Sequence, residues 1–261
     1  MHPIAFEIGP LTIHWYGILV AAGFLVALIT AQKRAPRAGL TSEAVSDVAL
    51  WLIVGGIVGA RALYVLSYWD EEFSGKPLWN IINLREGGLV FYGGFIGATL
   101  LGIIYVRIKK LPLWKLADVI APSIPLGQAF GRIGCFMTGC CYGRPTDAFC
   151  AVRFPISHET QGTPVHPTQI YEAVGALALF VFLEWIFRKK WKFQGQVFSL
   201  YLIGYAIVRS VVELFRGDYL NYWFRWITPA HFISAGVLIA GLALYFFLRR
   251  SGTKASAAES T

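Results

Sequence analysis

The sequence predicts an all-α polytopic membrane protein: seven transmembrane helices with a small extracytoplasmic cap, N-terminus out and C-terminus in. Three observations predict it. Of 261 residues, 56% are apolar, only 15% are charged and 9 are Trp, which is more apolar surface than one soluble domain can bury. Apolar stretches of roughly 20 residues, the length that crosses a bilayer, recur seven times along the chain. Cations gather in alternate connections between those stretches, as they do in loops retained on the cytoplasmic side. The stretches are too long for barrel strands and show no strand-like alternation, so helices are the way to satisfy the backbone in hydrocarbon.

The first stretch, near 12–31, is preceded by Glu7 and followed at once by Gln32, Lys33 and Arg34. That is the reverse of a cleavable signal peptide, so the segment is expected to stay as a span. The second, near 46–68, contains Arg61, expected to lock helices through a buried ion pair. The third, near 88–106, opens with a glycine-rich run from Gly87 to Gly97 around Tyr92. The fourth, near 116–136, carries Arg132 in Gly127-Gln-Ala-Phe-Gly131-Arg132-Ile-Gly134-Cys135. Residues 137–167 form the longest connection, and their Gly, Pro and aromatic content favours an ordered cap. The fifth stretch, near 168–187, begins after His166-Pro167, where Pro restricts the helix entrance and Gln169 and Glu172 are expected to point inward. The sixth, near 196–215, places Arg209 and Glu213 one turn apart on one face. The seventh, near 228–248, leads to Arg249, Arg250 and a small polar tail, 251–261, expected to be disordered. Residues 1–250 are expected to form a single membrane domain.

Orientation follows from the cations. Lys33, Arg34 and Arg37, then Arg107, Lys109, Lys110 and Lys115, then Arg188, Lys189, Lys190 and Lys192, then Arg249, Arg250 and Lys254 mark the cytoplasmic side. The opposite connections dilute their few cations with Asp70, Glu71, Glu72, Glu86, Asp147, Glu159 and Asp218. The formal net charge of +8 is therefore a topology signal, and nucleic acid is excluded as a partner.

Cys135, Cys140, Cys141 and Cys150 all fall at or beyond the end of the fourth stretch. A loop staple joining Cys150 to Cys140 or Cys141 and a set of unpaired buried thiols are both open. The spacing matches no recognised zinc pattern, with or without His158, so no metal and no cofactor is expected.

Ionisable groups at membrane depth are the sharper functional signal, because a charge there costs a few kcal/mol or more unless it is paired or wet. Glycines around Arg132 allow close approach of a backbone or ligand. A planar, always-charged guanidinium suits a phosphate bidentately. Glycine packing explains the small residues but not the buried arginine.

Taken together, the glycine-arginine run of the fourth stretch, His166-Pro-Thr-Gln-Ile-Tyr-Glu172, His14-Trp15-Tyr16-Gly17 and Tyr205-Ala-Ile-Val-Arg209-Ser-Val-Val-Glu213-Leu-Phe-Arg216 resemble bacterial prolipoprotein diacylglyceryl transferase over nearly the whole chain. The resemblance implies transfer of the diacylglyceryl group of phosphatidylglycerol to the lipobox cysteine of a preprolipoprotein, with release of glycerol phosphate. It also implies a monomer in the bacterial plasma membrane working toward the extracytoplasmic side, without a cofactor. Arg132 and Arg209 are the implied catalytic cations, with Tyr92 as the third catalytic candidate. Tyr16, Gly93, Gly94, Gly131, Gly143, His166, Gln169, Tyr205, Glu213 and Arg216 are the implied substrate-binding positions. The chain departs from the family's pattern in having Tyr92 where His is usual, and Cys135, Thr138 and Cys140 where Asn, Asn and Glu are usual. A phenol is a poor base at neutral pH unless nearby cations stabilise its phenolate, so Tyr92 ranks below the arginines and His166 is the second base candidate. A silent family member, a lipid or anion transporter and a thiol-redox protein are the rival readings.

Overall fold

The computed structural model describes residues 4–9, 11–83, 87–217 and 228–258. The chain divides into two compact units, one made of Met1–Ala31 with Ala117–Thr261 and the other of Gln32–Leu116. Each has its own packing logic.

In the Gln32–Leu116 unit, helix α2 (Ser42–Ser67) is capped by Thr41, whose hydroxyl accepts from the Ala44 amide at 3.2 Å. A π-helical turn (Trp69–Phe73) and a short helix, α3 (Trp79–Ile82), lie between it and α4 (Phe91–Ile108). The two long helices meet through paired glycines four residues apart, Gly55 and Gly59 on α2 and Gly93 and Gly97 on α4. A methyl group added to any of the four would collide with the backbone of the facing helix. Small residues at this spacing let helix backbones touch, and dispersion then replaces the hydrophobic drive that lipid removes. Tyr105 at the far end donates to Asp47 at 2.7 Å.

Among the described residues Arg61 makes no ion pair, contrary to the sequence expectation, and bonds to backbone carbonyls instead. Its Nε donates to the Ile81 carbonyl at 2.8 Å, Nη2 to Asn80 at 2.6 Å, and Nη1 to Gly87 at 2.8 Å and Gly88 at 3.1 Å. The rings of Tyr64 and Phe73 each lie 5.4 Å from its charge centre. A fork of five donors satisfies backbone carbonyls that have no ladder partner, and no carboxylate is required.

The other unit opens with a hairpin, β1 (Ile4–Ile8) and β2 (Leu11–His14), paired antiparallel from Ile8 with Leu11 through to Ile4 with His14. Helix α1 (Trp15–Arg34) follows directly, so residues 12–14 of the expected first span are strand. The hairpin is too short for alternation to register, although Gly9-Pro10 is a turn signal.

The fourth expected span is two helices, α5 (Leu113–Ile120) and α6 (Ser123–Thr138). Pro122 and Pro125 account for the break, since each lacks a backbone donor and crowds the preceding turn. Asp118 is fully buried on α5 and anchors the start of α8 (Gln196–Glu213). Its Oδ2 accepts from the Gly195 amide at 2.6 Å and the Trp191 indole at 2.8 Å, and its Oδ1 from the Phe198 amide at 2.9 Å. A carboxylate at a helix N-terminus meets both the orphan amides and the positive end of the helix dipole.

Between α6 and α7 (Thr168–Lys189), residues 139–167 form an ordered segment with two short paired strands, β3 (Val152–Arg153) and β4 (Pro164–Val165). Isolated bridges join Gly143 to Arg216 and Pro145 to Val165. Helix α9 (Pro229–Ala258) closes the chain, and its backbone is helical past Ser251, where the sequence reading starts the tail.

Among the described residues, six helices are long and apolar enough to cross a membrane, with at most 39% of their most apolar windows buried by protein. Val58, Leu66, Phe91, Val181 and Phe247 are all more than half exposed. Helices apolar around most of their surface and left uncovered by protein require lipid.

Candidate functional site

A cavity of about 960 Å³ opens where α1 meets the end of α6. One wall carries His14, Tyr16 and the apolar side chain of Ile18; the other carries Cys135, Thr138, Cys140 and Cys141. The walls meet where Tyr16 lies over Gly134: a Cβ there would sit 3.0 Å from the ring, so glycine sets the depth of this corner.

The second wall exists because α6 ends on Gly139, at φ 85, whose amide turns back to the Cys135 and Phe136 carbonyls. That reversal is the usual glycine helix end, and it folds Cys140 and Cys141 back beside Cys135. The Thr138 hydroxyl donates to Cys140 Sγ at 3.4 Å. Hydrogen bonds from the Cys135 and Cys141 thiols, and more weakly from Thr138, hold the Cys140 thiol well below the ordinary thiol range. Cys141 has φ 63, a left-handed backbone rare for a non-glycine residue. Two buried side chains at the start of α7 fix this turn, Gln169 donating to the Cys140 carbonyl at 2.6 Å and Thr168 to the Cys141 carbonyl at 2.7 Å.

Arg132 lies three residues before Cys135 and so shares its face of α6. It is within electrostatic reach of Tyr16, Cys135, Cys141 and Arg216. Its Nη2 pairs with Glu172 of α7 at 2.9 Å, with 26% of the arginine side chain still exposed against 8% of the glutamate. Arg209 is deeper: its Nη2 is 2.7 Å from Glu213 Oε2, and the two side chains are 12% and 1% exposed. The contact is close but not aligned as a hydrogen bond, leaving Arg209 Nη1 and Glu213 Oε2 without hydrogen-bond partners among the described residues. Glu213 Oε1 accepts from Thr228 at 2.6 Å.

A family model for prolipoprotein diacylglyceryl transferase matches residues 3–247. The chain belongs to the prolipoprotein diacylglyceryl transferase family. It is 36% identical over 244 residues to the phosphatidylglycerol–prolipoprotein diacylglyceryl transferase of Finegoldia magna, covering 94% of each chain. The same identity holds over 254 residues with the enzyme of that name from Bordetella bronchiseptica, 95% of each. With that of Clostridium tetani it holds over 252 residues, 94% of this chain and 97% of the relative.

Of the positions that resemblance to this family singles out, Tyr16 lines the cavity, Arg132 acts electrostatically on Tyr16, and Arg216 lies within electrostatic reach of Arg132. Gly143 and His166 belong to the supporting framework: the Gly143 amide donates to the His166 carbonyl at 2.9 Å, and a Cβ at Gly143 would meet the Phe215 carbonyl at 2.6 Å. The His166 ring is 3.0 Å from the Tyr171 hydroxyl, which is itself 3.0 Å from Cys150 Sγ. Cys150 is thus not the staple that one sequence reading allowed; all four cysteines are free thiols. Gln169, expected to face substrate, donates its amide to the Cys140 carbonyl, and its Oε1 is buried without a hydrogen-bond partner among the described residues. Tyr205 stacks on Tyr201 with centroids 6.0 Å apart, and a Cβ at Gly131 would meet nothing within 4 Å. Gly93 and Gly94 pack against α2 in the other unit, where Tyr92 stands 64% exposed on the first turn of α4.

Sequence reasoning missed Asp118 and the convergence of the three cysteines. A lone acid in an apolar run is a signal that could have flagged the first.

Proposed function

We propose that this chain transfers the diacylglyceryl group of phosphatidylglycerol to the cysteine thiol of a prolipoprotein, releasing glycerol phosphate. Membership of the family over nearly the full chain sets the reaction class. The observation that carries the mechanism is Arg132, a part-exposed guanidinium on the helical face that presents Cys135 to the cavity. Attack of the thiolate on the glyceryl carbon breaks the carbon–oxygen bond, and negative charge builds on the departing phosphate. A fixed cation beside that oxygen stabilises the transition state more than the ground state. Arg132 fills this role, Arg209 supports it from α8, and Tyr16 bounds the space for the headgroup.

The broken pair α5–α6 serves as the seventh crossing, with the N-terminus outside and the C-terminus inside a bacterial plasma membrane. Its two pieces rise about 12 and 24 Å at 1.5 Å per residue, enough together for a hydrocarbon core of roughly 30 Å. The clustering of cations in alternate connections supports this orientation. The cavity then faces the extracytoplasmic side, and the chain works as a monomer.

Purified protein in vesicles of phosphatidylglycerol, given a peptide with a lipobox cysteine, is expected to add one diacylglyceryl group per peptide by mass spectrometry. Arg132→Ala and Arg209→Ala are expected to abolish the addition. Undiminished turnover in both variants sinks the mechanism, and anion counterflow without lipid transfer makes the chain a transporter.

A further inference from the structure

The arginine chemistry leaves three thiols unused. Cys135, Cys140 and Cys141 bring their Sγ atoms within 4.8 Å of one another, all on the wall of the cavity. The helix end selects a pair among them. The Gly139 amide donates to the Cys135 carbonyl at 3.0 Å and the Phe136 carbonyl at 3.3 Å. In a glycine helix end of this kind, the residue after the glycine packs its side chain against the residue four before the glycine. Those residues are Cys140 and Cys135, and the Cys140 thiol lies 3.8 Å from the Cys135 carbonyl. A disulfide holds its sulfurs about 2.05 Å apart, so the gap to close is at most about 2.8 Å, roughly what one rotamer change moves a sulfur.

Cys140 and Cys141 are the poorer pair. Neighbouring Cα atoms stand about 3.8 Å apart, short of the roughly 4.4–6.8 Å that disulfides span, and buried Thr168 and Gln169 hold this backbone in place. Cys150 is engaged elsewhere, its Sγ 3.0 Å from the Tyr171 hydroxyl. Cys135 and Cys140 also differ as resolving and attacking thiols do, the first buried and the second exposed. Hydrogen bonds from the Cys135 and Cys141 thiols, and more weakly from Thr138, hold the Cys140 thiol below the ordinary range, so its thiolate is present at neutral pH.

We infer that Cys135 and Cys140 form a reversible disulfide on the cavity wall by exchange with a disulfide-bearing oxidant, and that the oxidised form binds the phospholipid substrate more tightly. The Cys140 thiolate attacks one sulfur of the oxidant and expels the other as a thiolate. Cys135 gives its proton to that thiolate and attacks Cys140 Sγ in the mixed disulfide, expelling the second half of the oxidant, which takes a proton from water. The protein pair loses two electrons and the oxidant gains them. Oxidation also removes a negative charge from the cavity wall. In the reduced form the Cys140 thiolate lies within electrostatic reach of Arg132 and dilutes its pull on a phosphate. In the disulfide that anion is gone. The effect on substrate rests on the transferase reading of this site, whereas the disulfide itself does not.

The test uses the full chain in nanodiscs containing phosphatidylglycerol, poised with mixtures of oxidised and reduced glutathione. In the oxidised mixture two of the four thiols should resist alkylation, and peptide mapping should link Cys135 to Cys140. Reduction should restore both thiols and raise KM for phosphatidylglycerol about tenfold, with kcat moved less. That is the worth of one unit charge roughly 12 Å from a phosphate at an effective dielectric of 20, a separation on the order of the width of a 960 Å³ cavity. Cys140→Ser should keep the low KM in both mixtures, and Cys140→Asp, a fixed anion, the high one. Cys150→Ser should leave the link and the transfer unchanged. Four alkylatable thiols in every mixture, or a link through Cys141 or Cys150, overturns the site. Equal KM in the two states with the link formed, or a low KM in Cys140→Asp, overturns the role of charge. Transfer absent from both states while the link forms and reverses overturns the transferase reading and leaves the disulfide.

Discussion

Arg132→Lys separates the ion pair this side chain makes with Glu172 from the phosphate contact we propose for it. In the native protein Nη2 meets Glu172 at 2.9 Å, while the guanidinium has five donors in a rigid fork. One ion pair therefore leaves donors free for a phosphate. An ammonium is a compact charge without that fork, and Glu172, 8% exposed, has first claim on it. The tie between α6 and α7 is worth about 1–3 kcal/mol at this intermediate burial, and it survives in the lysine variant. What is lost is a preorganised hydrogen bond to the departing phosphate. Removing one such donor costs about 2.7–4 kcal/mol, or 10²–10³ in turnover. The assay pairs single-turnover lipid transfer to a lipobox peptide with thermal unfolding in nanodiscs. We expect kcat to fall by about 10²–10³ and the unfolding temperature to stay within about 3 °C. Turnover within about threefold of wild type, under 1 kcal/mol of barrier, refutes the claim that the fork beyond the ion pair is used. Loss of the folded state makes Arg132 a helix lock and nothing more.

Arg61→Ala removes every donor now held by the carbonyls of Asn80, Ile81, Gly87 and Gly88, and is expected to cost roughly 3 kcal/mol of stability, read by thermal unfolding. Gly97→Leu drives a side chain into the Gly55 backbone and should cost about 3 kcal/mol or more; expression and melting of the variant check it. Asp118→Asn replaces one acceptor oxygen by an amide nitrogen that only donates, so either Phe198 or both Gly195 and Trp191 lose their acceptor, and a loss of about 1–3 kcal/mol is expected. Tyr92→Phe trims an exposed hydroxyl, so stability should change by under about 0.5 kcal/mol. Its transfer rate should fall about tenfold or more if Tyr92 takes the proton, and a near-normal rate moves that role to another acceptor.

Much of the fold was legible because lipid imposes one requirement, about 20 apolar residues per crossing, and six runs that meet it are single helices. The fourth run meets it by composition alone. Pro122 and Pro125 were visible in it, but hydropathy averages over a break that lies in the hydrogen-bond pattern. Arg61 was recognisable as a buried cation, yet its partners are carbonyls 19–27 residues away, and carbonyls leave no mark on a sequence. The resemblance implied Gly93 and Gly94 as substrate-binding positions, while glycines serve equally for helix contact, and the facing Gly55, Gly56 and Gly59 give them that contact. Arg132, Tyr16 and Arg216 were singled out by type and resemblance. The thiol cluster was not, because Cys135 meets Cys140 and Cys141 through one left-handed glycine, Gly139, and not through any helical period.

The carboxylates beside both arginines bear directly on whether these side chains can act on a phosphate. Full neutralisation would leave them as helix ties. At Arg132 the geometry argues otherwise. Glu172 occupies one nitrogen from the α7 side, so a phosphate meets the guanidinium at about 4 Å and the carboxylate no nearer than about 7 Å. At an effective dielectric of 20 these distances give roughly 4 kcal/mol of attraction against roughly 2 kcal/mol of repulsion. The surplus of about 2 kcal/mol grows as the leaving phosphate gains its second charge, which is the direction catalysis requires. Arg209 differs, because Glu213 lies on its own helix and is held by Thr228. Its Nη1 is buried without a hydrogen-bond partner among the described residues, so a donor that costs free energy at rest is relieved when an anion reaches it. The ion pairs thus orient the two cations, and the asymmetry between them is why we propose Arg132 for the departing charge and Arg209 for a supporting position behind it.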